Sequence, residues 1–558
     1  MTRNYALRIA LLWSGSLPVW GQTAPTALPK PVQTIALSAQ SALSGTVRLA
    51  NRRTVLFLAD AEGPKVHLVA LGADGRTAWE TDVVRYQHSV LSKRNFFDYR
   101  PNWSGSYEAY LRELMPTVLE PLDVLTDGDE VYTVERLQAA AFKKNSAASP
   151  LRENQLVVQR VTADGKVSRA TFDAPPVPAR GTEAYTLGRY AENGAYVTLV
   201  REDSDKGRRK AFFLDRHDLG TQAVRRDPLV LPETPEAEAR VYNDWAYLGH
   251  RPNQTYLFRR VANRSKQPFG RMPMEYEVAV LNSAGSQVGG FSTTLSLGKG
   301  TGPVYSAGLM PCLLEQAHVP HLLTAHHSSD YAFESYSELV DDWNISTGIF
   351  GDFYLDYATG DVLVFGEFGP HPLPSVARNT ERQGTFLYRF APDGKLLQRQ
   401  QHPYSKDVVK AQGQANKGAW ENRRLYFLQD PFSKQITLSF AGDGGRANLY
   451  FDETLAYKKH DFEAAKERQQ APVTTVLFTA SSWVYKPWQG HRNEKTSYLH
   501  ATAGDAPVYA RLEALRQAAG NPFPNHQFYV TPFPDNSALA VERAQLQGGS
   551  LRVYRIQP

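Results

Sequence analysis

The chain has 558 residues, 42% of them hydrophobic and 21% charged, with one cysteine and a formal charge of +5. This composition excludes a disordered chain, a disulfide-stapled miniprotein and a fibrous repeat. An excess of only 62 basic over 57 acidic residues, with no polybasic run, excludes an electrostatic nucleic-acid footprint.

In chain order, the first expected element is an export signal. Arg3 and Arg8 precede the apolar run Ile9-Ala10-Leu11-Leu12-Trp13, which continues through Leu17 to small residues at Val19 and Gly21 and suits cleavage after Gly21. The run is too short to span a bilayer, and no later stretch approaches the ~18 consecutive apolar residues of a membrane helix. Residues 1–21 are therefore expected to be a signal peptide. Residues 22–558 are expected to be a single exported domain, periplasmic, cell-surface or secreted.

Beyond the leader one pattern recurs: a short aromatic and β-branched strand, a Gly/Asp turn, and a more polar strand. Val66–Trp79, Leu156–Val167, Tyr276–Val288 and Phe386–Leu396 all show it, with Asp74-Gly75, Asp164-Gly165, Ala284-Gly285 and Asp393-Gly394 at the turns. Such pairs supply the positive φ of a tight hairpin, and the alternation ahead of them leaves one buried face. Another hairpin accompanies each, giving turns at Asn51–Thr54, Asp127–Asp129, Glu192–Gly194, Arg251–Asn253, Ala358–Gly360, Asp430–Ser433 and Pro534–Asn536. Paired hairpins make four-stranded units, laid out at about 45–85, 118–176, 182–230, 238–297, 348–404, 422–463 and 524–558. A small sheet cannot bury both faces alone, so the pattern predicts an all-β fold, a seven-bladed β-propeller. The last unit is one strand short. Thr34-Ile35-Ala36-Leu37-Ser38 alternates correctly to supply that strand and close the ring.

With strands A to D counted from the centre outward, antiparallel geometry puts the A-to-B and C-to-D turns on one face and the other links on the opposite face. The first kind are tight, whereas the second kind contain the long segments, above all the insertions at 86–117, 298–347 and 464–523. Loops displayed by a rigid scaffold carry function. Two helices are predicted there. One covers 506–519, with Asp505 as N-cap, Pro507 in the first turn, Val508, Leu512 and Leu515 on one face, and Gly520 as the stop. The other covers 107–115, led by Ser106.

The densest polar cluster is His318, His321, His326, His327 and Asp330. Imidazole and carboxylate suit zinc or another first-row metal, which makes His326, His327 and Asp330 candidate ligands. The spacing matches no established ligand motif, and ordinary hydrogen-bonding histidines are the plain alternative. For acid–base chemistry the carboxylates are Glu334, Glu338, Asp341, Asp342, Asp352, Asp356 and Glu367, with solvated side chains as the alternative. No Gly-x-Ser-x-Gly elbow, phosphate loop or dinucleotide glycine motif occurs. Trp103, Tyr107, Tyr110, Trp483, Tyr485, Trp488 and His491 bring flat rings with polar edges, which suit sugar faces or partner side chains, or simply anchor the loops. The expected ligand-binding residues are Trp103, Trp483, Trp488, His491, His318 and His321.

Val69–Thr81 resembles the repeat of quinoprotein-type, PQQ-like propellers, and Tyr354–Val364 is similar to its aspartate, Thr-Gly and hydrophobic pattern. The resemblance implies a propeller fold, which serves quinone-dependent dehydrogenases and non-catalytic envelope scaffolds alike. Those dehydrogenases carry an adjacent-cysteine pair against the quinone. A chain with only Cys312 lacks it, so no cofactor is expected. The combined expectation is a monomeric exported scaffold that binds an envelope or extracellular protein, or a glycan, through its loop-decorated face without catalysis. A carbohydrate-active hydrolase or lyase using loop carboxylates and histidines is the alternative.

Overall fold

The strands reverse where the local chemistry allows a left-handed residue. The Gly72 N–H donates to the Arg76 carbonyl at 2.8 Å and the Gly75 N–H to the Gly72 carbonyl at 2.9 Å, which closes the turn with Gly75 at φ +82°. A Cβ makes that conformation costly, so glycine is the natural occupant. The same pair of bonds recurs at 162–166, 282–286 and 391–395. In the equivalent turn at 452–456 the position belongs to Leu455, at φ +65°, and its side chain is buried in the core. Burial of a leucine, about 1.5–3 kcal/mol, outweighs the roughly 1–2 kcal/mol penalty of the backbone.

The protein is described here from a computed structural model, which describes residues 28–39, 41–60, 65–84, 123–136, 155–173, 181–204, 209–232, 245–262, 274–299, 301–304, 353–370, 383–406, 424–430, 432–442, 445–464, 473–478, 483–488, 507–518, 527–544 and 548–558. Their strands form seven antiparallel sheets, numbered I to VII in chain order. Sheets I (41–84), II (123–172), III (183–229), IV (246–294) and VI (424–464) each hold four strands paired in sequence order. In sheet V, Thr301–Val304 and Phe353–Leu355 both pair with Val362–Pro370, which is followed by Gly384–Phe390 and Leu396–Pro403. Sheet VII holds Val473–Phe478, Trp483–Trp488, Gln527–Pro532, Ala538–Arg543 and Ser550–Ile556. Its far edge is the N-terminal strand Gln33–Ala36, with Ile35 opposite Leu551.

The seven sheets occupy the units expected from the turns, and the helix predicted at 506–519 is present at Pro507–Ala518. The helix predicted at 107–115 and the leader 1–21 lie outside the described residues. Two segments differ from expectation. Thr301–Val304 falls in the range 298–347 and the hairpin of Val473–Phe478 with Trp483–Trp488 falls in 464–523, yet both extend sheets. Val473-Thr-Thr-Val-Leu-Phe478 is apolar and β-branched, a composition that pairs wherever a strand edge stands open.

Period-2 alternation sends successive side chains of one strand into opposite clusters. In Thr54–Asp60, Val55 and Phe57 pack with Val124, Val131 and Val161 of sheet II, while Leu56 and Leu58 pack with Tyr529 and Leu551 of sheet VII. Equivalent clusters join II to III through Tyr132 and Tyr196, III to IV through Leu199 and Leu257, IV to V through Tyr256 and Phe353, and V to VI through Phe365 and Leu449. Between VI and VII the helix intervenes: Phe432 of VI packs with Val508 and Leu512 of the helix and with Phe528 and Val530 of VII. These sheets thus gain stability from burying both faces, which a lone sheet cannot do.

Candidate functional site

Of the side chains singled out by sequence, Trp103, His318, His321, His326, His327, Asp330 and His491 lie outside the described residues, as do Cys312, Glu334, Glu338, Asp341, Asp342 and Asp352. Trp483 and Trp488 are not loop residues. They open and close a strand in which Trp483 stands opposite Phe478 and Val530, and Trp488 opposite Val473. The segment carrying His318 to Asp330 leaves the edge of sheet V between Val304, paired with Glu367, and Phe353, paired with Val364. Among the described residues no group of three or more His, Cys, Asp or Glu side chains is placed to hold a metal, and no helix is long and apolar enough to cross a membrane.

The tight-turn end of the molecule is stitched from sheet to sheet by hydrogen bonds. The Asn51 N–H donates to Asp129 Oδ1 at 2.6 Å, the Asn193 N–H to Asp127 Oδ2 at 2.7 Å, and the Asn253 N–H to Glu192 Oε1 at 2.7 Å. Arg251 Nε donates to the Tyr357 carbonyl at 2.9 Å, Tyr354 OH to Gln429 Oε1 at 2.9 Å, and Tyr509 OH of the helix to Asp430 Oδ1 at 3.2 Å. Around Glu192 the network is buried: His250 Nε2 lies 3.5 Å from Glu192 Oε1, and the His250 ring stacks on Tyr190 at 3.7 Å. Burial pushes the Tyr190 phenol up to about 12. Burial also raises the Asp127 carboxyl, against the opposing pull of the Asn193 N–H. Carboxylates spent on neighbouring turns position sheets; they are a structural seam.

The contact between sheets V and VI is different, because it gathers chemically active groups near the end from which 371–382 and 407–423 depart. Glu367, Thr385 and His402 are direct register partners across three strands of sheet V, so they share one face. Glu367 is fully buried, and Tyr404 OH donates to its Oε1 at 2.6 Å. From sheet VI, the Tyr457 ring stacks on His402 at 3.7 Å and 14°. The Tyr457 hydroxyl meets His460 Nδ1 at 2.7 Å, and His460 Nε2 meets Ser405 Oγ at 3.3 Å. Burial lowers the pKa of His402, helped by the charge of His460, and burial raises that of Tyr457. Burial thus disfavours the charged forms of both rings.

Sequence reasoning singled out Glu367 by residue type and missed His402, Tyr404, Ser405, Tyr457 and His460. Ser405 and His460 are 55 residues apart, and no spacing motif relates them. Only the packing of two outer strands brings them together.

No family model matches the sequence, and no curated protein matches it at a significant level. Solved structures are similar in outline. A prolyl endopeptidase shares 9% identity over 94% of this chain and 51% of its own, with a TM-score of 0.34. The polysaccharide lyase Uly1 shares 7% identity over 94% and 99%, with a TM-score of 0.33. The β-propeller domain of the Trilobed protease from Pyrococcus furiosus shares 7% over 79% and 94%, with a TM-score of 0.26. The chain spans about half the length of the prolyl endopeptidase. Likeness at this level assigns no residue and no activity to the chain.

Proposed function

We propose that this chain is an exported seven-bladed β-propeller, closed by the strand Gln33–Ala36, that binds a glycan or an envelope protein through the end opposite its tight turns, without catalysis. One observation carries the reading: the two ends of the sheets are built differently. At one end, short turns spend their polar groups on neighbouring sheets, as Asn51, Asn193 and Asn253 do. From the other end depart the long connections 85–122, 137–154, 233–244, 263–273, 371–382 and 407–423. A rigid base with long segments at the far end is the arrangement of a display scaffold. Trp103, Trp488, His491, His318 and His321 are the residues proposed to line the ligand site, and His326, His327 and Asp330 a subsidiary metal site; Trp483 begins its strand on the tight-turn side, where its register with Val530 puts it, and is dropped from the set.

The test is calorimetric titration of the purified exported chain with a panel of soluble polysaccharides and peptides. Trp103→Ala and Trp488→Ala should weaken any binding at least about tenfold, since stacked aromatic anchors dominate such sites. Asn536→Ala, in a tight turn, should leave it unchanged. Binding that responds to the turn residue and ignores the tryptophans would overturn the reading.

A second reading, a carbohydrate-active hydrolase or lyase, is favoured by the contact between V and VI, where a buried carboxylate, two imidazoles and two phenols converge. Release of new reducing ends or of unsaturated sugar products from the same panel would replace the scaffold reading with this one.

A further inference from the structure

Ser405 follows the outer strand of sheet V, and its hydroxyl lies 3.3 Å from Nε2 of His460 on the outer strand of sheet VI. The other nitrogen of that ring is held: Nδ1 is 2.7 Å from the Tyr457 hydroxyl. Tyr457 is fixed in turn, with its ring stacked on His402 at 3.7 Å and packed against the apolar cluster shared by V and VI. A hydroxyl on one imidazole nitrogen and an orienting oxygen on the other is the arrangement that converts serine into a nucleophile. Ser405 and His460 are half-buried, so the pair is partly shielded while remaining open to a small reagent.

We propose that Ser405 is a nucleophilic serine, activated by His460 and positioned through Tyr457, that accepts acyl groups from small carboxylic esters such as O-acetyl substituents. In the tautomer this requires, Nδ1–H donates to the Tyr457 oxygen and the Nε2 lone pair receives the Ser405 proton. As that proton leaves, Oγ bonds to the ester carbonyl carbon. The tetrahedral adduct collapses, the bond from carbonyl carbon to alkoxy oxygen breaks, and the departing alcohol takes the proton back from Nε2. Water then repeats the sequence on the acyl-serine, releases the carboxylic acid and restores the hydroxyl. No oxidant, metal or cofactor enters the balance. Because Tyr457 is a protonated phenol and not a carboxylate, it stabilises the imidazolium weakly, so the acceleration belongs at the lower end of general-base catalysis, about 100-fold. This activity is separate from the binding reading, and either can fail while the other stands.

The experiment incubates the full exported chain with p-nitrophenyl acetate, follows nitrophenolate release, and maps the acetyl mass by peptide sequencing. The expected result is a burst of nitrophenolate with the acetyl group on Ser405. Ser405→Ala should abolish the burst, and His460→Gln should slow it about 100-fold. Tyr457→Phe should slow it less and shift its pH midpoint, which a merely structural contact would not do. The titratable groups facing His460 from the packed elements are Tyr457 and His402, with Glu367 farther along the same face. His67→Gln, on sheet I beside Asp82, should keep the burst. Acetylation elsewhere with Ser405 unmodified, or a burst unchanged in His460→Gln, would overturn the proposal.

Discussion

Glu192 Oε1 accepts the Asn253 backbone N–H at 2.7 Å, so a carboxylate at the end of a strand in sheet III holds the turn of sheet IV. The carboxylate is almost wholly buried, with Arg216 Nη1 3.7 Å from its second oxygen. Glu192→Ala strands the Asn253 N–H and removes the counter-charge of Arg216, at an expected cost of about 3–5 kcal/mol. Glu192→Gln keeps an acceptor oxygen and should cost less. Urea unfolding midpoints of the two variants provide the comparison, and equal losses would show that the bond to Asn253 does not fix the turn.

Gly75 separates backbone strain from packing. A Cβ there would stand 2.5 Å from Val32 Cγ2 and 3.0 Å from Leu539 Cδ1, at φ +82°. Gly128 is also left-handed, at φ +58°, but a Cβ there would meet nothing within 4 Å. Gly128→Ala should therefore cost only the conformational part, about 1–2 kcal/mol, and Gly75→Ala should add about 1–3 kcal/mol of overpacking. Thermal unfolding of both variants measures the difference.

The N-terminal strand should act as a clasp. Gln33 belongs to sheet VII, yet its side chain accepts the Thr77 N–H at 2.9 Å and donates to Thr77 Oγ1 at 2.6 Å in sheet I. Gln33→Ala is expected to cost about 1 kcal/mol for each hydrogen bond lost. Removing the chain up to residue 36 should cost more, because it opens the edge of Ser550–Ile556. Faster proteolysis within that last strand would register the opening; an unchanged cleavage rate would contradict the clasp.

His402 should make stability depend on pH. Burial lowers its imidazole pKa and the charge of His460 adds to the shift, so the folded state binds fewer protons than the unfolded state just below the ordinary imidazole value. Stability contributed by the neutral ring is complete above that value and falls as pH drops toward the lowered one. Melting temperature should decline between about pH 7 and pH 5, and His402→Gln should flatten the decline. A variant as pH-sensitive as the parent would assign the effect to another group.

Leu455 and Gly75 show how far sequence reaches. Tight turns, strand alternation and four-strand spacing are local: Asp-Gly pairs permit a positive φ, and period-2 patterning is complete within one strand. They marked out the four-stranded sheets I to IV and VI and part of V and VII in advance, and the cap and apolar face of Pro507–Ala518 marked out its helix. Leu455 occupies a left-handed turn without a glycine signal, because the reason for it lies in the neighbouring sheet that buries its side chain.

The candidate site was legible only as residue types. Glu367 could be named as a carboxylate near a strand. Its burial, the Tyr404 hydroxyl on it, and the row running through His402 to Tyr457, His460 and Ser405 follow from which faces of V and VI meet.

By itself the sequence determined where hairpins form and which faces are apolar, because these depend on residues a few positions apart. Tertiary structure alone decided which edges accept Gln33–Ala36, Thr301–Val304 and Trp483–Trp488, and which polar groups meet between sheets V and VI. Those outcomes join residues far apart in the chain, as when Tyr529 OH and Arg543 Nη1 both donate to the Leu43 carbonyl. No local pattern encodes a partner that only packing brings within reach.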